Sequence, residues 1–163
     1  MIIISDTSPI SNFFIIGKLQ LLQNIYENVI IPEAVYNELT ALQQSGFDIS
    51  NITLSPWITV QKITSETELP FLLQKIDRGE AEAIILAKEL HAELLLMDES
   101  RGRKIAKEAG LQTIGLLGVL LEAKSKAIIS SVKEIIDELK NKAKFRIHEK
   151  LYKEVLLLAN EES

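Results

Sequence analysis

"MIIISDTSPI" (residues 1–10) decides the fold, because four apolar residues run without a break into Ser5-Asp6-Thr7-Ser8-Pro9. An apolar run so uninterrupted reads as a strand buried on both faces, which is the mark of a parallel sheet covered by helices. The pattern recurs at "ELLLMD" (Glu93–Asp98), where "LLLM" also ends at an acid. "NVII" (Asn28–Ile31), "WITVQKI" (Trp57–Ile63, an edge) and "LQTIG" (Leu111–Gly115) read as further strands. Helices are expected over 11–23 with a break at Gly17, over 32–42 with Pro32 in the first turn, and over 66–76 and 79–90. Another spans 100–109, stopped by Gly110, and helical pieces follow from 116 to 160. "SGFDISNITLSP" (45–56) reads as a loop.

The 163 residues fit one domain, 1–163, with the C-terminal helices as part of it, and 47% hydrophobic content supplies a core. With 23 acids against 18 bases the net charge is -5, which argues against a protein that coats duplex nucleic acid. Residues 1–70 hold 7 acids and 2 bases and so carry the whole imbalance. The absence of cysteine excludes disulfides, thiolate metal sites and cysteine nucleophiles, and suits a reducing cytosol. No apolar stretch reaches the length of a membrane span. The expectation is a cytoplasmic protein without membrane contact. His91 and His148 stand without a second histidine at ligand spacing and read as surface residues.

In a parallel sheet, ligands bind outside the carboxyl ends of the strands. Asp6 and Asp98 both belong there. Each taken singly reads as a helix N-cap. Two together repel unless a cation lies between them. Glu38 in "IPEAVYNEL" follows Val35 by three positions and so lies on, or at the rim of, the inward helix face. Glu80 in "DRGEAEAIILAKEL" shares a stripe with Ile84 and Ala87. Glu82, roughly 200° away, is expected to face water. Glu80 alone also reads as a first-turn acid favoured by the helix dipole, and Asp77 as a loop residue. Four converging carboxylates form an all-oxygen donor set suited to Mg²⁺ or Mn²⁺, and such a site favours phosphoryl chemistry. Thr7 and Ser8 would hydrogen-bond the carboxylates or a bound water, with Thr7 alternatively capping the next helix.

"IISDTSPISNF", "IPEAVYNEL", "DRGEAEAIILA" and "LLLMDESRGRKIA", in this order, resemble a PIN-domain protein, and the resemblance extends through "IGLLGVLLEAKSKAII" to the tail "FRIHEKLYKEVLLLANE". It covers nearly the whole chain. It implies a three-layer α/β/α fold with a central, mainly parallel sheet of four to five strands, and Mg²⁺- or Mn²⁺-dependent cleavage of single-stranded or structured RNA. Many such proteins resemble the toxins of prokaryotic toxin–antitoxin pairs (VapC-like ribonucleases), which a small antitoxin protein neutralises, and the family commonly forms homodimers. Carried onto this chain, the metal-binding and catalytic acids are Asp6, Glu38, Glu80 and Asp98, with Thr7, Ser8 and Glu99 supporting them. "GEAEA" offers two glutamates for the third place, and Glu80 is chosen by its spacing to Asp98 and by its helix face.

Arg101, Arg103, Lys104 and Lys107 follow Asp98 directly, and Arg78 precedes Glu80. Arg78, Arg101, Arg103 and Lys104 are the expected RNA contacts, against the alternative of solvated helix faces. Phe145 and Tyr152 read as core or interface. The rival to a nuclease is a PIN scaffold that binds RNA or protein without cutting. A phosphoacceptor of the receiver type is disfavoured because "LQTIG" does not end in lysine, and a D-x-D phosphatase because Asp6-Thr7-Ser8 supplies a single acid.

Overall fold

Ile3–Ser5 forms the middle strand, β1, of a five-stranded sheet in a computed structural model that describes residues 1–161. The other strands are β2 (Val29–Pro32), β3 (Ile58–Gln61), β4 (Leu94–Leu96) and β5 (Thr113–Ile114), in the order β3-β2-β1-β4-β5, and every pairing is parallel. The helices are α1 (Thr7–Ile15), α2 (Gln20–Tyr26), α3 (Glu33–Thr40), α4 (Ser50–Thr53), α5 (Leu69–Leu73), α6 (Arg78–Glu89), α7 (Ser100–Glu108), α8 (Leu116–Ser125), α9 (Val132–Lys142) and α10 (Glu149–Leu158). Among the described residues no helix is long and apolar enough to cross a membrane.

Side chains alternate across a strand, and here they divide the apolar residues into two cores. Ile3 and Leu96 face one core with residues of α1, α2, α3, α8, α9 and α10. Ile4, Leu95 and Met97 face the other, with α5, α6 and Ala106 of α7. The result is the expected three-layer α/β/α arrangement. Phe145 and Tyr152 pack against the first core, and both histidines are exposed.

Several element boundaries differ from the sequence-based expectation. α1 begins at Thr7 rather than residue 11, because proline is tolerated in a first turn and Pro9 enters it. Gly17, at φ +73°, breaks the segment as expected. Pro32 ends β2 and sits just before α3. Residues 50–53 of the expected loop form the short α4. Only Leu69–Leu73 of the segment 66–76 is helical. α6 starts before Gly79, at Arg78, because Asp77 caps it.

The register places the functional edge. Ser5 pairs with Leu96, so the carboxyl ends of β1 and β4 lie side by side. From β1 the chain crosses to β2 on one side, whereas β4 leads to β5 on the other. The crevice between β1 and β4 is therefore the topological switch point.

Candidate functional site

Asp6 occupies the N-cap position of α1, with extended backbone (φ -77°, ψ 178°), but its side chain makes no capping bond. The helix-cap alternative thus fails for this residue. Its backbone is fixed by an N–H bond to the Leu96 carbonyl, 2.9 Å away, and the residue is 4% exposed. Burial pushes its carboxyl up to about 7. The Thr7 N–H partly offsets this, and Glu80, Asp77 and Glu38 add repulsion.

Glu80 is buried at the third position of α6. It closes a capping box: the Glu80 N–H donates to Asp77 Oδ1 at 2.8 Å and the Asp77 N–H to Glu80 Oε1 at 3.3 Å. Burial raises its carboxyl to about 7; the Asp77 N–H opposes that shift, while the Asp77 and Glu99 carboxylates reinforce it. The other oxygen, Oε2, lies over Gly102, where an added Cβ would stand 2.7 Å from it and 2.7 Å from Met97 Sδ. Glycine there lets the Glu80 carboxylate and the Met97 thioether approach the backbone, and a larger residue would displace them.

Glu38 is exposed at the rim, in keeping with its expected placement. Its carboxylate turns inward, accepting the Thr7 hydroxyl and the Gly79 N–H. A Cβ on Gly79 would lie 2.7 Å from Glu38 Oε1. Burial of the carboxyl end raises its pKa, with Asp77 adding to the shift. Asp98, at the end of β4, is half-buried and accepts the Leu116 N–H at the start of α8 at 3.1 Å.

The structure therefore brings Glu38 and Glu80 into electrostatic range of Asp6 and sets Asp98 at the adjacent strand end, its carboxylate bonded to the start of α8. In this arrangement no three His, Asp or Glu side chains among the described residues converge tightly enough to hold one ion. Glu38, Glu80 and Asp98 are each tied by hydrogen bonds to other residues, whereas Asp6 has only the adjacent Thr7 N–H. Thr7 touches Glu38 as expected of a supporting hydroxyl. Ser8 does not take the expected supporting role: among the described residues its hydroxyl bonds no carboxylate, and its carbonyl accepts from Ser11 Oγ and Asn12 Nδ2 within α1. Glu99 is exposed at the N-cap of α7 and acts on Glu80 through its charge.

Glu82 corrects the expectation that it faces water. It is 5% exposed, accepting the Ala34 N–H at 3.1 Å and Arg78 Nε at 2.8 Å. α6 is buried from Gly79 to Ala87, so its far side is also interior, and Glu82 ties α6 to the start of α3. The same bond engages Arg78, which also pairs with Glu66 at 3.6 Å. Arg101 donates to the Lys75 carbonyl at 3.2 Å. Arg103 is half-buried, and its Nε has no partner among the described residues. Lys104 is exposed. Asp77 was missed as a member of the site. The signal was present in "DRGE", which has the D-x-x-E spacing of a capping box.

An all-carboxylate set with this much unbalanced negative charge has the donor chemistry of a hard divalent cation. Among the described residues, no lysine or arginine forms an ion pair with Asp6, Glu38, Glu80 or Asp98.

Residues 2–161 match the model of the DUF3368 family, described as a PIN domain. Among solved structures, the chain is similar to a PilT N-terminus domain protein from the hyperthermophilic archaeon Sulfolobus solfataricus P2. The two share 18% identity with a TM-score of 0.51, over 91% of this chain and 98% of that one. At that identity the likeness concerns the fold. No curated protein matches.

Proposed function

The chain belongs to the PIN-domain family, whose members are generally nucleases that use divalent metal ions, and from that premise we propose that it is a metal-dependent endoribonuclease. The observation that carries the proposal is Asp6: a buried carboxylate fixed at a strand tip, left out of helix capping, and surrounded by Glu80, Asp77 and Glu38. Structural acids are ordinarily paired or used as caps. This one makes no capping bond and no ion pair, and beyond the adjacent Thr7 N–H its burial and acidic neighbours favour a proton or a cation on it.

Asp6, Glu38, Glu80 and Asp98 would hold Mg²⁺ or Mn²⁺. Such an ion, when bound, neutralises phosphate charge and makes water a usable nucleophile near neutral pH. Asp6, rigid on β1, orients the site. Glu38 and Glu80, each tied through one set of bonds, keep the remaining acids at fixed distance from it. With a cation bound, these carboxylates would be ionised, and one of them would accept the proton from an attacking water. The phosphodiester is then opened by hydrolysis without a covalent enzyme intermediate.

The test compares cleavage of single-stranded RNA by wild type and Asp6→Asn, each with Mn²⁺ and with EDTA. Cleavage by wild type with Mn²⁺ alone is expected; equal cleavage by the variant would falsify the assignment. One observation favours a second reading, a PIN scaffold that binds without cutting: the acids do not converge on one point in this arrangement. Calorimetry decides between the two, since the nuclease must bind Mn²⁺ and the scaffold need not. For the cellular role we propose a toxin restrained by a small antitoxin, supported by the family resemblance. Inducing wild type in a host should arrest growth and inducing Asp6→Asn should not.

A further inference from the structure

α7 carries a charge pattern that the acids do not explain. Ser100, Arg103, Lys104, Lys107 and Glu108 follow the i, i+3, i+4, i+7, i+8 spacing of one helix face, while Gly102 and Ala106 are buried on the other. The outer face lines an open cavity of about 360 Å³. Elsewhere Lys62, Arg78, Lys88, Lys124 and Lys133 each pair with an acid, while Lys75, Lys140, Lys144, Arg146, Lys150 and Lys153 form no ion pair among the described residues and are spread over other segments. Arg101, Arg103, Lys104 and Lys107 form no ion pair among the described residues.

Arg103 joins this stripe to the acids. Its Nε is buried without a partner. Its guanidinium and the Asp98 carboxylate both border Gly115, since a Cβ there would lie 3.2 Å from Arg103 Nη1 and 3.0 Å from Asp98 Oδ1. Yet Arg103 and Asp98 form no ion pair. The guanidinium fork is thus not taken up by that carboxylate, and its geometry suits a phosphate.

We propose that the outer face of α7 is a phosphate track, on which Arg103 takes the backbone phosphate nearest the acids and Lys104 and Lys107 take the next along a single strand. The ligand class rests on the nuclease reading; the track itself rests on the unpaired cations and the cavity. Arg103 and Lys107 are one helical turn apart, about 5–6 Å along the axis, a spacing that successive phosphates of an extended strand can match. Glu108, of opposite sign, closes the far end. The substrate must therefore extend past the cut on the side of α7, and Arg78, engaged by Glu82 and Glu66, is not part of the track.

The experiment measures binding of a short labelled RNA single strand by anisotropy at several salt concentrations, in the Asp6→Asn background so that cleavage plays no part. Lys104→Gln/Lys107→Gln, both exposed positions, should weaken binding and make the log–log salt dependence shallower by about 1.4, at 0.7 for each phosphate no longer neutralised. Adding Arg103→Gln should weaken it further, with unchanged circular dichroism confirming the fold. The distant exposed set Lys144→Gln/Lys150→Gln/Lys153→Gln should leave affinity and slope as they were. If the α7 double variant binds with unaltered slope, or the distant set weakens binding as much, the track is wrong. A wild type that cleaves RNA while the α7 variants bind normally overturns the track and keeps the nuclease. A track that behaves as expected in a protein that never cleaves keeps the track and overturns the nuclease.

Discussion

At the scale of single residues, Asp6 links function to stability. Its carboxyl titrates at about 7 in the folded chain, against 3.8 for an ordinary aspartate. Between these two pH values the native state keeps a proton that the unfolded state has lost, so stability falls as pH rises through this window. At 1.36 kcal/mol per unit, the full cost above pH 7 is about 4 kcal/mol. Glu80 shifts in the same direction. Metal-free Asp6→Asn should therefore be more stable than wild type in EDTA at pH 8 and close to it at pH 4, as read from urea melts. A variant less stable than wild type at pH 8 would contradict this account. Asp6 and Asp98 were legible in the sequence because apolar runs lead straight to them. Glu80 was legible because it sits on an apolar stripe. Glu82 was misread because a helical wheel assumes one wet face, and α6 has none over Gly79–Ala87. Arg103 was named among the cations, but no sequence pattern distinguishes its buried, unpartnered Nε from a solvated one.

At the scale of elements, the strands were readable, and so were the starts of α7 at Ser100 and α8 at Leu116, whereas those of α1, α5 and α6 were not. Strand identity depends on composition that every window displays. A helix start depends on one capping geometry, as Asp77 and Pro9 illustrate. The tail shows how such local bonds fasten elements together. Glu161, just beyond α10, accepts N–H bonds from Val132 at 2.7 Å and Lys133 at 3.0 Å and pairs with Lys124 at 2.9 Å, joining α10, α9 and α8. Burial works against its charge, but the two N–H donors and Lys124 outweigh it and hold the carboxyl at about 2. A depressed carboxylate stabilises above its unfolded value, here 4.5, and that contribution fades as pH falls toward 2. Glu161→Gln should lower the melting temperature at pH 7 and make progressively less difference toward pH 2. An equal drop at both pH values would show that the interaction does not depend on charge.

At the scale of the whole molecule, one sheet serves two cores, and the acids collect where the two meet. β1 and α1 position Asp6, α3 positions Glu38, α6 positions Glu80, and β4 positions Asp98. A cation bound there engages elements of both layers, so it should stabilise the fold as a unit. At a hundredfold excess over its dissociation constant, Mn²⁺ should add about 2.7 kcal/mol, visible as one cooperative shift in the melt that Glu80→Gln removes. Apolar side chains remain uncovered on α10, with Leu157 63% and Leu158 70% exposed. If two copies pair through this face, Leu157→Asp/Leu158→Asp should shift the sedimenting species to monomer, whereas a wild type already monomeric at high concentration would refute the pairing.

The glycines opposite the acids carry a consequence for relatives of this chain. Gly79, Gly102 and Gly115 belong to three different segments, and a methyl group at any of them would stand 2.7–3.0 Å from a carboxylate oxygen and push it from its place. A lineage could lose the activity through one alanine at any of the three while all four acids stayed intact. A survey that scored descendants by their acids alone would count such silenced copies as working enzymes. Scoring the glycines with the acids would expose them.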